Sequence, residues 1–164
     1  MKTSLLTDAS WVLAVVSVAA SACGGEVPED WKDAPEQAAL RAELAQTGFK
    51  IVYESRASGN GDIWIMSADG TEKRNLTNTP DADEVYPRVS PDGTRIVFAF
   101  GKYGVGHKAH EKGKPALGLM KIDGTERKTM VEQGSGAIWH PDGKHVLYGK
   151  VPRVFALRDL EKGT

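Results

Sequence analysis

One cysteine, Cys23, is present in 164 residues, so no intrachain disulfide can form and nothing in the fold depends on an oxidising compartment. An excess of either charge is missing as well. Twenty-one Lys and Arg stand against 22 Asp and Glu, a net charge of −1, which argues against a nucleic-acid binder with a basic face. No apolar run approaches the roughly 20 residues of a membrane-spanning helix. Low-complexity tracts are also absent, because the 18 glycines and 8 prolines fall at turn positions. The chain has no G-x-S-x-G elbow, no G-x-x-x-x-G-K-[ST] loop and no C-x-x-C pair, so hydrolase, P-loop and redox-thiol chemistries lack their residues.

What is there begins with the apolar stretch from Trp11 to Ala22, interrupted only by serines. Its length suits the h-region of a signal peptide. Small residues Ala20-Ser21-Ala22 run into Cys23 and resemble a bacterial lipobox, in which the thiol is diacylated and the preceding segment removed. An Ala-x-Ala-like cleavage site and an uncleaved anchor are the alternatives. Gly24, rather than Asp, follows the cysteine, which by analogy with bacterial sorting favours the outer membrane. The expected organisation is a lipoprotein-type signal peptide over 1–22, a polar linker over 23–34, a short helix over 35–47 and a repeat region over 48–164. Pro35 in the first turn, a run of Ala and Leu, and Gly48 past the end predict the helix. Leu40 and Leu44 share one face, which is expected to pack on the following domain.

Beyond Gly48 the chain repeats itself. Gly48, Gly93 and Gly143 each lie three residues before an apolar trio beginning at Ile51, Ile96 and Val146. Gly70, Gly124 and Gly163 each follow a strand-like run. The turns fall into two classes. Ser90-Pro91-Asp92-Gly93 and His140-Pro141-Asp142-Gly143 place Pro where φ near −65° is needed and Gly where φ is positive. Ala68-Asp69-Gly70-Thr71 and Ile122-Asp123-Gly124-Thr125 are Asp-Gly hairpin turns. Strands are predicted at 49–55, 62–67, 73–77 and 86–90, then 95–100, 117–122, 127–131 and 136–139, then 145–150 and 154–160. Short strands with a period of about 40–50 residues indicate an all-β propeller of four-stranded antiparallel blades, about two and a half of them in an incomplete ring.

The run from Asp62 to Phe100, DIWIMSADGTEKRNLTNTPDADEVYPRVSPDGTRIVFAF, resembles the repeat of TolB-type β-propellers, with its Asp-Gly, Leu-Thr and Ser-Pro-Asp-Gly. The segment from Gly118 to Lys150 is a degenerate copy, in which Met130-Val131 replaces the Leu-Thr and His140 the Ser. The repeats stop at Lys162-Gly163-Thr164, inside a hairpin turn, as expected of a piece of a longer protein; a short chain would instead need other copies to complete its ring. The Pro-Asp-Gly stretches are expected to be hinges between neighbouring blades, and Trp64, Tyr86, Trp139 and Tyr148 to pack blade on blade.

The resemblance implies a periplasmic binding module at the cell envelope with an envelope protein or small ligand as partner; the lipobox-like Cys23 would hold it to a membrane, and the charge balance argues against nucleic acid. No catalytic residue, cofactor or metal ligand is assigned. Asp69, Asp92, Asp123 and Asp142 are read as turn formers because each precedes a Gly. His140 shapes its turn and His145 alternates with Val146 on a strand. The insertion from Gly101 to Ala116, with His107, His110 and Glu111, reads as a solvated loop that could carry binding. The alternative is the propeller portion of a longer exported peptidase of the prolyl oligopeptidase type.

Overall fold

The computed structural model describes residues 35–102, 115–150 and 154–163. The expected signal peptide, Cys23, the linker, and His107, His110 and Glu111 of the insertion lie outside the described residues.

Helix α1 spans Pro35–Thr47. Thr47 closes it: its hydroxyl donates to the Leu44 carbonyl at 2.7 Å and accepts the Phe49 N–H at 3.1 Å, while Gly48 turns the chain at φ 69°. The expected docking of this helix is corrected. Side chains from Ala38 to Glu43 are exposed and Leu44 is only half-buried. Two leucines among alanines make too narrow an apolar stripe to hold a helix down.

Ten strands follow among the described residues: β1 Lys50–Ser55, β2 Asp62–Ser67, β3 Arg74–Asn75, β4 Asp83–Val89, β5 Arg95–Gly101, β6 Ala116–Lys121, β7 Lys128–Val131, β8 Ser135–Trp139, β9 His145–Lys150 and β10 Val154–Asp159. They form three antiparallel sheets ordered β1-β2-β3, β4-β5-β6-β7 and β10-β9-β8. The strand total matches the expected two and a half blades, but the division between sheets differs. β4 pairs with β5 rather than with the first sheet, and β8 with β9. The Pro-Asp-Gly stretches are therefore hairpins inside a sheet and not hinges between sheets. The reason is local. A tight turn closed by Gly93 N–H to Ser90 O (2.9 Å) and Ser90 N–H to Arg95 O (2.8 Å) forces its two strands to be neighbours. The chain crosses between sheets at 76–82 and 132–134.

Strand β5 shows why three sheets stack. Ile96, Val97, Phe98 and Ala99 are all buried. Alternation sends Ile96 and Phe98 toward Val52, Ile63, Ile65 and Met120, and Val97 and Ala99 toward Leu117, Leu119, Met130, Val146 and Tyr148. A strand apolar on both faces is covered on both, the first cluster joining the first sheet to the middle one and the second joining the middle to the last. Each fully buried side chain of this size contributes about 1.5–3 kcal/mol.

Of the four aromatics expected to pack between blades, Tyr148 is buried in the second cluster and Trp139 packs against it. Tyr86 departs from the expectation. A register shift between Val85 and Arg88 turns it outward at φ 56°, 60% exposed, while Pro87 is buried. Trp64 is half-buried, and its indole N–H has no hydrogen-bond partner among the described residues.

Gly118 on β6 pairs with Phe98, and a Cβ there would overlap the Phe98 ring. Gly118→Ala is therefore expected to destabilise the fold by about 1–3 kcal/mol, the range for overpacking a filled core. Urea unfolding measures this; a stability unchanged within about 0.5 kcal/mol would refute the account of Phe98.

Candidate functional site

Because the strands are antiparallel, the β2–β3, β4–β5, β6–β7 and β8–β9 turns gather at one end of the sheets. The 56–61 loop, the linkers between sheets, and the points at Gly101 and Ala116 where β5 ends and β6 begins gather at the other. The aspartates singled out in the sequence all lie at the turn end, one in each turn.

Each is held inside its own turn. Asp69 Oδ1 accepts the Thr71 N–H at 3.0 Å and hydroxyl at 2.7 Å. Asp92 Oδ1 accepts the Thr94 N–H at 3.1 Å and hydroxyl at 2.8 Å, and the Ser90 hydroxyl as well. Asp123 repeats this with Thr125. Asp142 Oδ1 accepts the Lys144 N–H at 2.8 Å and the His145 N–H at 3.2 Å. These bonds favour the ionised forms. The Thr71 N–H lowers the Asp69 pKa, the Thr125 hydroxyl that of Asp123, and the Lys144 N–H that of Asp142. For Asp92 burial opposes the shift, but the Ser90 and Thr94 donors outweigh it.

Neighbouring turns are tied to each other. Arg95 donates to the Gly143 carbonyl at 2.6 Å while its guanidinium stacks on Trp139, 5.2 Å from the ring centre. The Trp139 indole donates to the Arg88 carbonyl at 2.9 Å, and Arg74 reaches the Asp123 carbonyl at 3.1 Å. The last turn differs from the others in chemistry. His140 and His145 each bring Nδ1 to Asp142 Oδ2, at 3.0 and 2.8 Å, and His145 Nε2 lies 3.7 Å from Asp159.

At the other end lies a carboxylate group that the sequence reading did not single out: Asp62, Asp83 and Glu84, all buried. Asp62 accepts from the Ser58 hydroxyl, Asn75 (2.9 Å), the Thr77 hydroxyl (3.1 Å) and the Thr79 N–H (3.1 Å). Burial would raise its pKa, but these donors together lower it. Asp83 accepts the Gly61 N–H at 2.7 Å and faces Arg56 at 3.3 Å. Glu84 Oε1 meets Arg127 at 2.5 Å, and Arg127 also donates to Thr79 at 2.7 Å while lying over Phe98 and Phe100. Glu84 Oε2 is buried with no partner among the described residues. Burial raises the Glu84 pKa despite Arg127.

The signal that would have found this cluster is Gly61-Asp62 ahead of a strand, followed by Asn75-Leu76-Thr77. In the second unit Ala116 stands at the position of Asp62, and Thr129-Met130-Val131 at that of Asn75-Leu76-Thr77. The polar clamp is thus built once. Its acids bond to donors from the 56–61 loop, β3, the 76–82 linker and Arg127: Asp83 on β4 fastens the middle sheet to the first through Arg56 and the Gly61 N–H, Asp62 holds the linker through Thr77 and Thr79, and Glu84 holds Arg127.

Glu84 has a pKa raised by folding, so its contribution to stability is full below the ordinary Glu value of about 4.3 and is lost as pH rises through the folded value. The stability advantage of wild type over Glu84→Gln should therefore shrink as pH is raised from about 4 to 7. Paired urea titrations across that range test the sign, and an advantage that grows with pH would contradict the burial account.

No family model matches the sequence, and neither does a curated protein. Solved structures do. TolB from Acinetobacter baumannii superposes with a TM-score of 0.56 at 20% identity over 73% of this chain and 29% of that one. A structure described as a TolB from Agrobacterium tumefaciens gives 0.53 at 18% identity, over 70% of this chain and 43% of that one. The propeller domain of the Trilobed protease from Pyrococcus furiosus matches at a TM-score of 0.47 and 18% identity, over 68% and 35%. This chain thus spans less than half the length of the structures it resembles. Three stacked antiparallel sheets, hairpins at a common end and the two TolB superpositions together show that the described residues have the fold of consecutive blades of a TolB-type β-propeller.

Proposed function

We propose that this chain is a non-catalytic recognition module of the bacterial cell envelope, exported and held at a membrane through lipid on Cys23. The observation that carries the recognition reading is the use to which the acids are put. The turn aspartates bond within their turns, Asp62 holds the 76–82 linker, Asp83 fastens the middle sheet to the first through Arg56 and Gly61, and Glu84 holds Arg127, so these carboxylates build a rigid frame. A rigid frame with loops at one end suits binding. Among the described residues no helix is long and apolar enough to cross a membrane, and the lipobox-like Ala20-Ser21-Ala22-Cys23 supplies an anchor by other means. A single acyl chain binds a membrane only marginally, whereas the diacylated thiol of a lipoprotein holds stably. The partner is expected to be an envelope protein or small ligand, met by the loops opposite the turn end or by the 101–116 insertion.

Two measurements test this. In cells making the full chain, labelled palmitate should enter the wild type, and Cys23→Ser should abolish labelling and move the protein from the membrane to the soluble fraction. A wild type already soluble and unlabelled would remove the anchor. A photo-crosslinking residue placed within 101–116 should give one discrete adduct in the envelope; cross-links spread over many proteins, or none, would remove the binding role.

A further inference from the structure

The turn His140-Pro141-Asp142-Gly143 contains more than turn formation requires. Its counterpart Ser90-Pro91-Asp92-Gly93 closes in the same way, with Gly93 N–H to Ser90 O at 2.9 Å against Gly143 N–H to His140 O at 3.0 Å. There, hydroxyls from Ser90 and Thr94 serve the aspartate. In the later turn imidazoles stand on either side of it, so the hairpin has no structural need of them.

Their arrangement is specific. Asp142 divides its oxygens, Oδ1 to the backbone N–H groups of Lys144 and His145 and Oδ2 toward the two rings. The rings stand nearly perpendicular, 80° apart with centres 5.9 Å from each other, and both aim Nδ1 at that one oxygen, with the Asp142 N–H also 3.3 Å from His140 Nδ1. One ligand atom from each of the three residues lies within 4.8 Å of the others. In a tetrahedral zinc site with bonds of about 2.0–2.1 Å, ligand atoms lie about 3.3 Å apart. The observed 3.0 and 2.8 Å edges need to open by only a few tenths of an ångström, on a turn where the His140 side chain is 53% exposed. Behind the first ring of ligands, His145 Nε2 faces Asp159 Oδ2 at 3.7 Å, and Asp159 is itself fixed by the N–H groups of Glu161 and Lys162. A carboxylate on the far nitrogen is how metal-bound histidines are commonly oriented.

We propose that His140, Asp142 and His145 form a site for a divalent transition-metal ion of the zinc type, with Asp159 orienting His145. The ion takes Nδ1 of both histidines and Oδ2 of Asp142, and solvent completes its shell. It links the β8–β9 turn through His145 to the end of β10.

The test uses the full chain stripped of metal and titrated with Co2+, followed by its visible absorption bands, and with Zn2+ in competition. One equivalent should bind. His140→Asn, an exposed change that leaves the turn backbone intact, should weaken binding at least 10-fold, and His145→Gln likewise. Asp159→Asn should weaken it about 10–100-fold, the usual effect of losing such an orienting partner. His107→Ala with His110→Ala should leave affinity unchanged. Circular dichroism of each variant without metal confirms folding. Absence of Co2+ bands, binding that survives loss of both His140 and His145, or binding lost with His107 and His110 would each overturn the proposal.

Discussion

Everything else in the described fold depends on the middle sheet having two apolar faces, and above all on Phe98 of β5. Its ring lies over Gly118, where any side chain would collide with it, and packs with Ile96 and Met120 against Val52, Ile63 and Ile65 of the first sheet. One residue on, Val97 faces the opposite way into the cluster that holds Val146 and Tyr148 of the last sheet. A strand has only two faces, so a strand apolar on both must be sandwiched. That constraint makes a stack of three sheets out of what would otherwise be separate hairpins.

Polar chemistry fixes how the stacked sheets are aligned. Apolar contact is non-directional and would tolerate sliding. Arg95 on the Gly143 carbonyl, Trp139 on the Arg88 carbonyl and Arg74 on the Asp123 carbonyl each join one sheet to the next at the turn end. At the other end Asp83 does the same through Arg56 and the Gly61 N–H, and Arg127 ties Glu84 to Thr79 of the linker while covering Phe98 and Phe100. The last sheet has one covered face. Its other face carries Ile138, Leu147 and Leu157 in register across three strands, with Phe155 78% exposed. This is the kind of apolar surface that the middle sheet shows to both of its neighbours.

Much of the architecture was legible in the residues, and the reasons are local. Period-2 alternation and Asp-Gly turns act over a few positions, so the strands and hairpin turns could be placed from the text alone. The grouping of strands into sheets was misread, because a linker and a hairpin loop of similar composition look alike until pairing is known. Tyr86 was misread because a bulge shifts its register, and the helix because two leucines were taken for a docking face. The buried acids were missed for a related reason. Asp62, Asp83 and Glu84 sit among ordinary polar residues, and only folding removes them from water.

The sequence by itself determined the all-β class, the repeat, the turn chemistry at Asp69, Asp92, Asp123 and Asp142, and the placement of the lone Cys23 after an apolar stretch. These follow from backbone preference and short-range pattern. Only the tertiary structure decided which strand joins which sheet, that Glu84 shares one arginine with Thr79, and that two histidines and an aspartate meet at one oxygen beside Asp159. Those are distances between residues separated along the chain or turned toward each other by a hairpin, set by the packing of whole sheets.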